Sequence, residues 1–393
     1  MLLLSEIDFI KLNRKSDLNR LALNKHKFPQ NIRAEVVLHQ IATLQRIQNK
    51  LPLIADNLEF IFPKSLSIEQ ASSEITAKYK ANIVHYKRSA DLTGGMGIDS
   101  IYFSHNAEQH IYNEIDAELC SIFHNNISLL EINNIQISNQ SAIEFIKTDI
   151  DNIDLIYLDP ARRNAQAGKT YFLEDTLPNP IKIVESIYNS NFENKPKILI
   201  KTSPLLDISR AINQLEFVSQ VHIISVENEC KELLFLIDFD SDSSISYIAV
   251  DYSKDIQTIS KFSHPNPNHT EYSYPKSYLY EPNSSLMKLG FWNEIAMDYS
   301  VSPISANTHL YTSDIIINNF PGRKFEILAI EKFDKKAILA HLPNKKANIS
   351  IRNFHLSVAD IRKKMGISDG GENYLFFVQL DNNDAKALIC KKL

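Results

Sequence analysis

The chain has 393 residues, 44% of them hydrophobic and 23% charged, a mixture that suits two to four globular domains with a real core. Its three cysteines, Cys120, Cys230 and Cys390, are far apart and form no CxxC pair, which excludes a disulfide framework and a cysteine zinc site and points to a reducing cytosol. The opening Met1-Leu-Leu-Leu-Ser-Glu-Ile-Asp8 meets acids at once and is not read as a signal peptide. No apolar run approaches membrane-spanning length. The net charge of −5 is unevenly spread. Residues 1–50 hold 9 Lys and Arg against 4 Asp and Glu, and residues 320–393 hold 14 against 8, so residues 51–319 carry −16. Two basic ends around an acidic body suit contact with a polyanion, or are solvated lysine clusters.

Residues 1 to about 85 read as helical. In Ala34–Ile47 the residues Val37, Ile41, Leu44 and Ile47 fall on one helical face, and a second helix is expected over Ser67–Tyr79. Short apolar strands then alternate with helical stretches: Ser89–Asp91, His110–Glu114, Ile135–Ile137, Leu155–Leu158, Ile198–Ile200, Val221–Val226 and Leu233–Phe239. Such alternation predicts a parallel sheet with crossover helices, and the close spacing of the last two runs predicts an antiparallel hairpin at one sheet edge. Residues 262–283, rich in Pro, Asn, Ser and Tyr, read as a linker. A short segment to about Phe320 and a compact αβ tail from Pro321 to Leu393 follow.

Five motifs lie at predicted strand ends. Ala90-Asp91-Leu92-Thr93-Gly94-Gly95-Met96-Gly97-Ile98-Asp99 is a glycine-rich β–α turn that lets the backbone approach a nucleotide-like ligand. Its spacing is not GxGxxG, which disfavours a dinucleotide phosphate, and the acid Asp91 suits a ligand with a positive amino group. In Tyr112-Asn113-Glu114-Ile115-Asp116 the acid Glu114 ends the second strand, where a carboxylate bonds ribose hydroxyls, and Asp116 suits a helix cap. Ser141 and Ala142 follow the third strand, where a small polar residue lines a base pocket or caps a helix. The fourth strand ends in Asp159-Pro160-Ala161-Arg162-Arg163. Pro160 fixes a sharp turn at the ligand-binding edge of the sheet, and the arginines either neutralise Asp159 or hold a phosphate. Lys201-Thr202-Ser203-Pro204 closes the fifth strand.

The series DLTGGMGID, YNEID, DLIYLDPARR and IKTSPLLD resembles the class I S-adenosylmethionine-dependent methyltransferases. More narrowly it is similar to members with a DPAR-type fourth motif and a C-terminal THUMP-like domain. Gln70–Lys80, Ala347–Val358 and Arg362–Phe376 carry that narrower likeness. The resemblance implies an α/β fold: a helical N-terminal region (1–85), a seven-stranded Rossmann-like core (86–261) and small α+β C-terminal domains. The last are a ferredoxin-like segment (276–319) and a THUMP-like end (320–393).

The resemblance also implies S-adenosylmethionine as cofactor, held by Asp91, Gly94, Gly95, Gly97, Glu114, Ser141 and Ala142. Asp159 and Pro160 would be the catalytic pair, and Arg162, Arg163, Tyr171 and Phe172 would face the substrate. Asp-Pro-Ala-Arg departs from the amino-methylating (Asp/Asn)-Pro-Pro-aromatic pattern, so a stacking ring would come from Tyr171 or Phe172. The implied activity is direct methyl transfer, and the two basic ends point to RNA, tRNA or rRNA as the substrate, in the cytoplasm and without a metal. The alternatives are a protein or small-molecule substrate, or a non-catalytic cofactor- or RNA-binding module. No cysteine sits after the fourth or fifth strand, which disfavours a thiol-adduct route to carbon methylation.

Overall fold

The computed structural model describes residues 2–64, 71–148, 150, 152–162, 172–254, 256–263, 265, 270–380 and 384–393. The N-terminal region is helical: α1 (Leu4–Asn13), α2 (Leu18–Leu23), α3 (Ala34–Ile47), α4 (Pro52–Ala55) and α5 (Glu74–Ala81). The expected face of α3, Val37, Ile41, Leu44 and Ile47, is buried. Glu6 of α1 is buried too, and Arg33 holds its carboxyl down at about 2 through a hydrogen bond that outweighs the cost of burial. Of the helix expected over Ser67–Tyr79, residues 67–70 lie outside the described residues; in the rest, α5 begins at Glu74, where the Ser73 hydroxyl accepts from the Thr76 amide and caps it.

The alternating region follows as β1 (Arg88–Asp91), α6 (Ile98–Asn106), β2 (Gln109–Asn113), α7 (Ala117–Leu129), β3 (Ile135–Ser138), α8 (Ala142–Thr148), β4 (Leu155–Leu158), β5 (Ala161–Arg162), β6 (Thr176–Leu177), α9 (Pro180–Tyr188), β7 (Lys197–Thr202), α10 (Ile208–Leu215), β8 (Val218–Val226), β9 (Glu229–Ile237), β10 (Ser246–Ser253) and β11 (Ile256–Phe262). Among the described residues one sheet has the order β11-β10-β8-β9-β7-β4-β1-β2-β3. The first four strands and β7 run parallel. The seven expected strands are all present, and two more extend the sheet. β8 and β9 form the expected hairpin, turned by Glu227 and Asn228 with φ of 49° and 59°, the backbone of a type I′ turn. It does not lie at the edge, because β10 pairs parallel with β8 and β11 pairs antiparallel with β10.

By internal contacts the chain divides into two compact units, 1–219 with 234–242 and 220–233 with 243–393. The second contains another sheet, β13-β14-β12-β15-β18-β17-β16. Its strands are β12 (Tyr278–Pro282), β13 (Ser302–Pro303), β14 (Tyr311–Ser313), β15 (Gly322–Lys332), β16 (Asn348–Arg352), β17 (Asn373–Gln379) and β18 (Ala385–Lys392), with helices α11 (Ser284–Leu289), α12 (Trp292–Asp298), α13 (Lys335–Ala340) and α14 (Val358–Met365). One expectation is corrected here. The end of the supposed 262–283 linker is a strand, β12, with Leu279 and Tyr280 fully buried. The tail shares its sheet with that strand, because β15 pairs along β12 from Tyr278↔Glu326 to Pro282↔Gly322.

Candidate active site

Strands β1, β2 and β3 advance in one direction, and β4 then starts on the opposite side of β1. That reversal is the topological switch of an open parallel sheet, and ligands bind in the crevice outside its carboxyl ends. The ends of β1, β2, β4 and β7 carry Asp91, Glu114, Asp159 and Lys201-Thr202.

The glycine turn is tied down on every side. The Leu92 amide donates to the Tyr157 carbonyl at 3.0 Å, the Gly94 amide to the Asn113 carbonyl at 3.0 Å and the Gly97 amide to the Gly94 carbonyl at 2.8 Å. Gly95 and Gly97 have φ of 52° and 78°, a left-handed backbone that favours glycine. Tyr112 donates from its hydroxyl to the Gly95 carbonyl at 2.7 Å, and its ring stacks on Phe123 at 3.9 Å. A Cβ on Gly94 would lie 2.3 Å from that Tyr112 ring.

Asp91 is buried, and its carboxylate is spent on the turn itself. Oδ1 accepts from the Thr93 amide at 2.9 Å and the Thr93 hydroxyl at 3.2 Å, and Oδ2 accepts from Ser100 at 2.8 Å. Burial, with Asp99 nearby, pushes its carboxyl up to about 7 against those bonds. Glu114 reaches across the turn. One oxygen accepts from the Gly95 amide at 2.9 Å and the other from the Asp116 amide at 3.0 Å. Asp116 caps α7, accepting from the Glu118 and Leu119 amides. Ser141 caps α8, with its hydroxyl donating to Glu144 at 2.8 Å and accepting from the Glu144 amide at 3.2 Å, and Ala142 is the first helical residue.

Asp159 is brought to the turn through its backbone, whose amide donates to the Thr93 hydroxyl at 2.7 Å. Its side-chain partner is Lys201, with Nζ 2.7 Å from Oδ2. Pro160 is buried and leads into β5, which pairs with β6. Arg162 lies in β5, Arg163 and Tyr171 lie outside the described residues, and the ring of Phe172 carries the Arg210 guanidinium 3.9 Å from its centroid.

Sequence reasoning missed the groups beneath this rim. Lys80 of α5, fully buried, lies 2.8 Å from Asp99 Oδ1. Asp99 Oδ2 accepts from Ser72 at 2.7 Å and Tyr157 at 2.8 Å. Burial raises the Asp99 carboxyl, but the charges of Lys80 and Lys201 outweigh it and hold the group below the ordinary carboxylate range. The signal was a lysine and a serine in the motif Gln70–Lys80, which no local rule connects to a strand end far along the chain.

The comparisons fit this geometry. A ferredoxin-like domain model matches residues 278–321 and a THUMP domain-like model matches residues 322–392. No curated protein matches the chain. Among solved structures, a protein of Porphyromonas gingivalis W83 provisionally assigned as a methyltransferase is 28% identical over 100% of both chains, with a TM-score of 0.86. SMU.1697c of Streptococcus mutans, also provisionally assigned as a methyltransferase and solved with SAH, is 15% identical over 42% of this chain and 97% of its own, at a TM-score of 0.30. Escherichia coli yhhF is 15% identical over 45% of this chain and 89% of its own, at 0.31. The last two align over less than half of this chain and carry no weight. Sheet order, glycine turn and matched domains define a class I methyltransferase fold. In this chain that fold is joined to a C-terminal segment, residues 322–392, that matches the THUMP domain-like model.

Two outcomes test the turn. Gly94→Ala drives a methyl group into the buried Tyr112 ring and destabilises the protein by about 1–3 kcal/mol in urea titrations, the usual cost of overpacking. For Asp91, the folded protein keeps a proton between the ordinary carboxylate range and about pH 7 that the unfolded chain releases. Its contribution to stability therefore falls as pH rises through that window. Asp91→Asn cannot titrate, so the stability of the variant relative to the parent rises between pH 4.5 and pH 8. A constant difference contradicts this reading.

Proposed function

We propose that this chain transfers a methyl group directly from S-adenosylmethionine to RNA, tRNA or rRNA, with Asp159 at the point of transfer. The observation that carries the reading is the joining of three strand ends at the switch point: Glu114 on the Gly95 amide, and the Asp159 amide on Thr93 of the same turn. The whole-length likeness to a provisionally assigned methyltransferase supports it.

The donor set fits this cofactor. Carboxylates line the rim, and the ammonium of Lys201 is already engaged by Asp159, so a pyrophosphate is poorly served while a cationic nucleoside is well served. When bound, S-adenosylmethionine supplies a methyl group on a positively charged sulfur. Glu114, Gly94, Gly95 and Gly97 would hold it, with Ser141 and Ala142 near its base. Asp91 would support the cofactor from the turn, its oxygens accepting from Thr93 and Ser100. Asp159 accepts a hydrogen bond from the attacking amine or hydroxyl through its second oxygen, which orients the nucleophile for displacement. Cys120 is packed under the Glu114 carbonyl at 3.4 Å, and burial raises its thiol, so it is no nucleophile for an adduct.

The RNA reading rests on the basic tail and on the THUMP-like match. Lys335 and Lys336 of α13, Lys345 and Lys346, and Lys363 and Lys364 of α14 are all exposed. Cytoplasmic location and the absence of a metal belong to the same proposal. No helix among the described residues is long and apolar enough to cross a membrane.

Calorimetry is expected to show S-adenosylmethionine binding without NAD binding. Glu114→Ala should weaken the former by about 1–3 kcal/mol, the cost of a lost hydrogen bond to a charged group. Tight NAD binding would sink the cofactor assignment. RNA affinity should fall steeply with salt, with a log–log slope of about −0.7 per phosphate contact for single strands. Because β15 pairs with β12, deleting the tail would break a sheet, so the tail is tested by Lys335, Lys336, Lys363 and Lys364→Glu. That variant is expected to lose RNA affinity and keep cofactor affinity. Salt-insensitive, unchanged RNA binding, or methyl label found in protein alone, removes RNA as the substrate.

A further inference from the structure

Five side chains form one array beneath the candidate site. The Ser72 hydroxyl has one proton and two lone pairs, and each has a partner. It donates to Asp99 Oδ2 at 2.7 Å and accepts from Lys80 Nζ at 2.6 Å and Lys201 Nζ at 3.3 Å. Because Asp99 takes its proton, Ser72 presents only acceptor to the two ammonium groups. Lys80 also meets Asp99 Oδ1, and Lys201 also meets Asp159 Oδ2, each at the distance of an ion pair. Ser72, Lys80, Asp99 and Lys201 are all buried.

A lysine side chain has four rotatable carbons, and holding it in one place costs rotamer entropy. Among the anchors that meet that cost for Lys201 are Asp159 in front and Ser72 behind. The bond from Lys201 to Oδ2 orients the Asp159 carboxylate, and in the proposed reaction its other oxygen would meet the substrate. Asp99 lies two residues past Gly97, so the same hydroxyl also touches the helix that follows the glycine turn.

We infer that Ser72, from the N-terminal region, is a positioning residue: it holds Lys201 on Asp159 and couples that pair to Asp99 behind the cofactor turn. The inference rests on the reading of Asp159 as the group that orients the nucleophile. It gives residues 72–80 a place beneath the active centre, whereas in the sequence they stood out only as a helix and as part of the family likeness. Ser72 touches neither ligand, and its effect passes through Lys201.

Three readouts test it on the full-length protein. Labelled S-adenosylmethionine with total RNA measures transfer, calorimetry with S-adenosylhomocysteine measures the cofactor site, and proton–nitrogen spectra of nitrogen-15 lysine report the hydrogen-bonded ammonium groups. Lys80→Met and Lys201→Met assign those signals by their loss. Ser72→Ala is expected to keep cofactor affinity within about threefold and to slow transfer by about tenfold to a hundredfold, the scale of a small misplacement at a reacting centre. It should also move or broaden the Lys201 signal, and Ser72→Thr, which keeps the hydroxyl, should recover most of the transfer. Full transfer by a folded Ser72→Ala, or an unmoved Lys201 signal, overturns the inference. If Ser72→Ala does not fold, Ser72→Cys keeps the size, weakens the hydrogen bonds and is read the same way. If the parent protein binds the cofactor but labels no RNA, the substrate reading has failed. The spectra still decide whether Ser72 holds Lys201.

Discussion

An ammonium group moved out of water costs several kcal/mol unless its charge is met inside the protein. Lys80 is fully buried, and meeting its charge dictates much of the first unit. Helix α5 has to lie where Lys80 reaches Asp99, and Asp99 in turn draws the Tyr157 hydroxyl from β4 and the Ser72 hydroxyl from the segment before α5. Since Asp99 opens α6, the helix start cannot drift, and neither can the glycine turn before it. Ser100, the next residue, donates to Asp91 at the end of β1. The turn is thus pinned from beneath by charges and hydroxyls, and Glu114 accepts from the Gly95 amide across it.

The strands and their acids were legible because each lies within a few residues of its cause. An apolar run of four or five residues followed by an acid and a turn reads as a strand ending at the ligand edge, and β1, β2 and β4 obey this. The hairpin β8–β9 was legible from spacing, but its place in the sheet was not, because β10 and β11 announce themselves only weakly. Asp159 marks the limit of this local logic, because its ion pair with Lys201 spans 42 residues. Ser72 meets Lys201 across 129 residues. No periodicity or spacing rule reaches that far, and only the fold brings these groups together.

Asp91 shows how burial changes the meaning of a motif residue. As a letter before a glycine turn it invites a positive ligand. In the structure both of its oxygens are occupied by Thr93 and Ser100, and its carboxyl is pushed up to about 7, so it is poorly disposed to carry a full charge toward solvent. Asp99, two residues past the last glycine of the turn, is the ionised acid, because two lysines stand beside it. The acid that shapes the turn and the acid that stays charged behind it are therefore different residues, set apart by their neighbours rather than by their type.

The same accounting separates structural cations from exposed ones in the tail. Glu281 of β12 is buried, and Arg323 of β15 and Arg352 of β16 both pair with it. Arg362 is turned onto Asp369, and Lys386 onto Asp384. The two Glu281 pairs tie the matched ferredoxin-like segment to the matched THUMP-like segment, while the Arg362 and Lys386 pairs lie within the latter. What remains exposed among the described residues is Lys335 and Lys336 of α13, Lys363 and Lys364 of α14, Lys345 and Lys346 in a loop, and Lys332, Lys391 and Lys392 on β15 and β18. A count of charges along the sequence therefore overstates what a polyanion would meet. The informative positions are these exposed lysines, none of which forms an ion pair with a buried carboxylate among the described residues as Arg323 and Arg352 do.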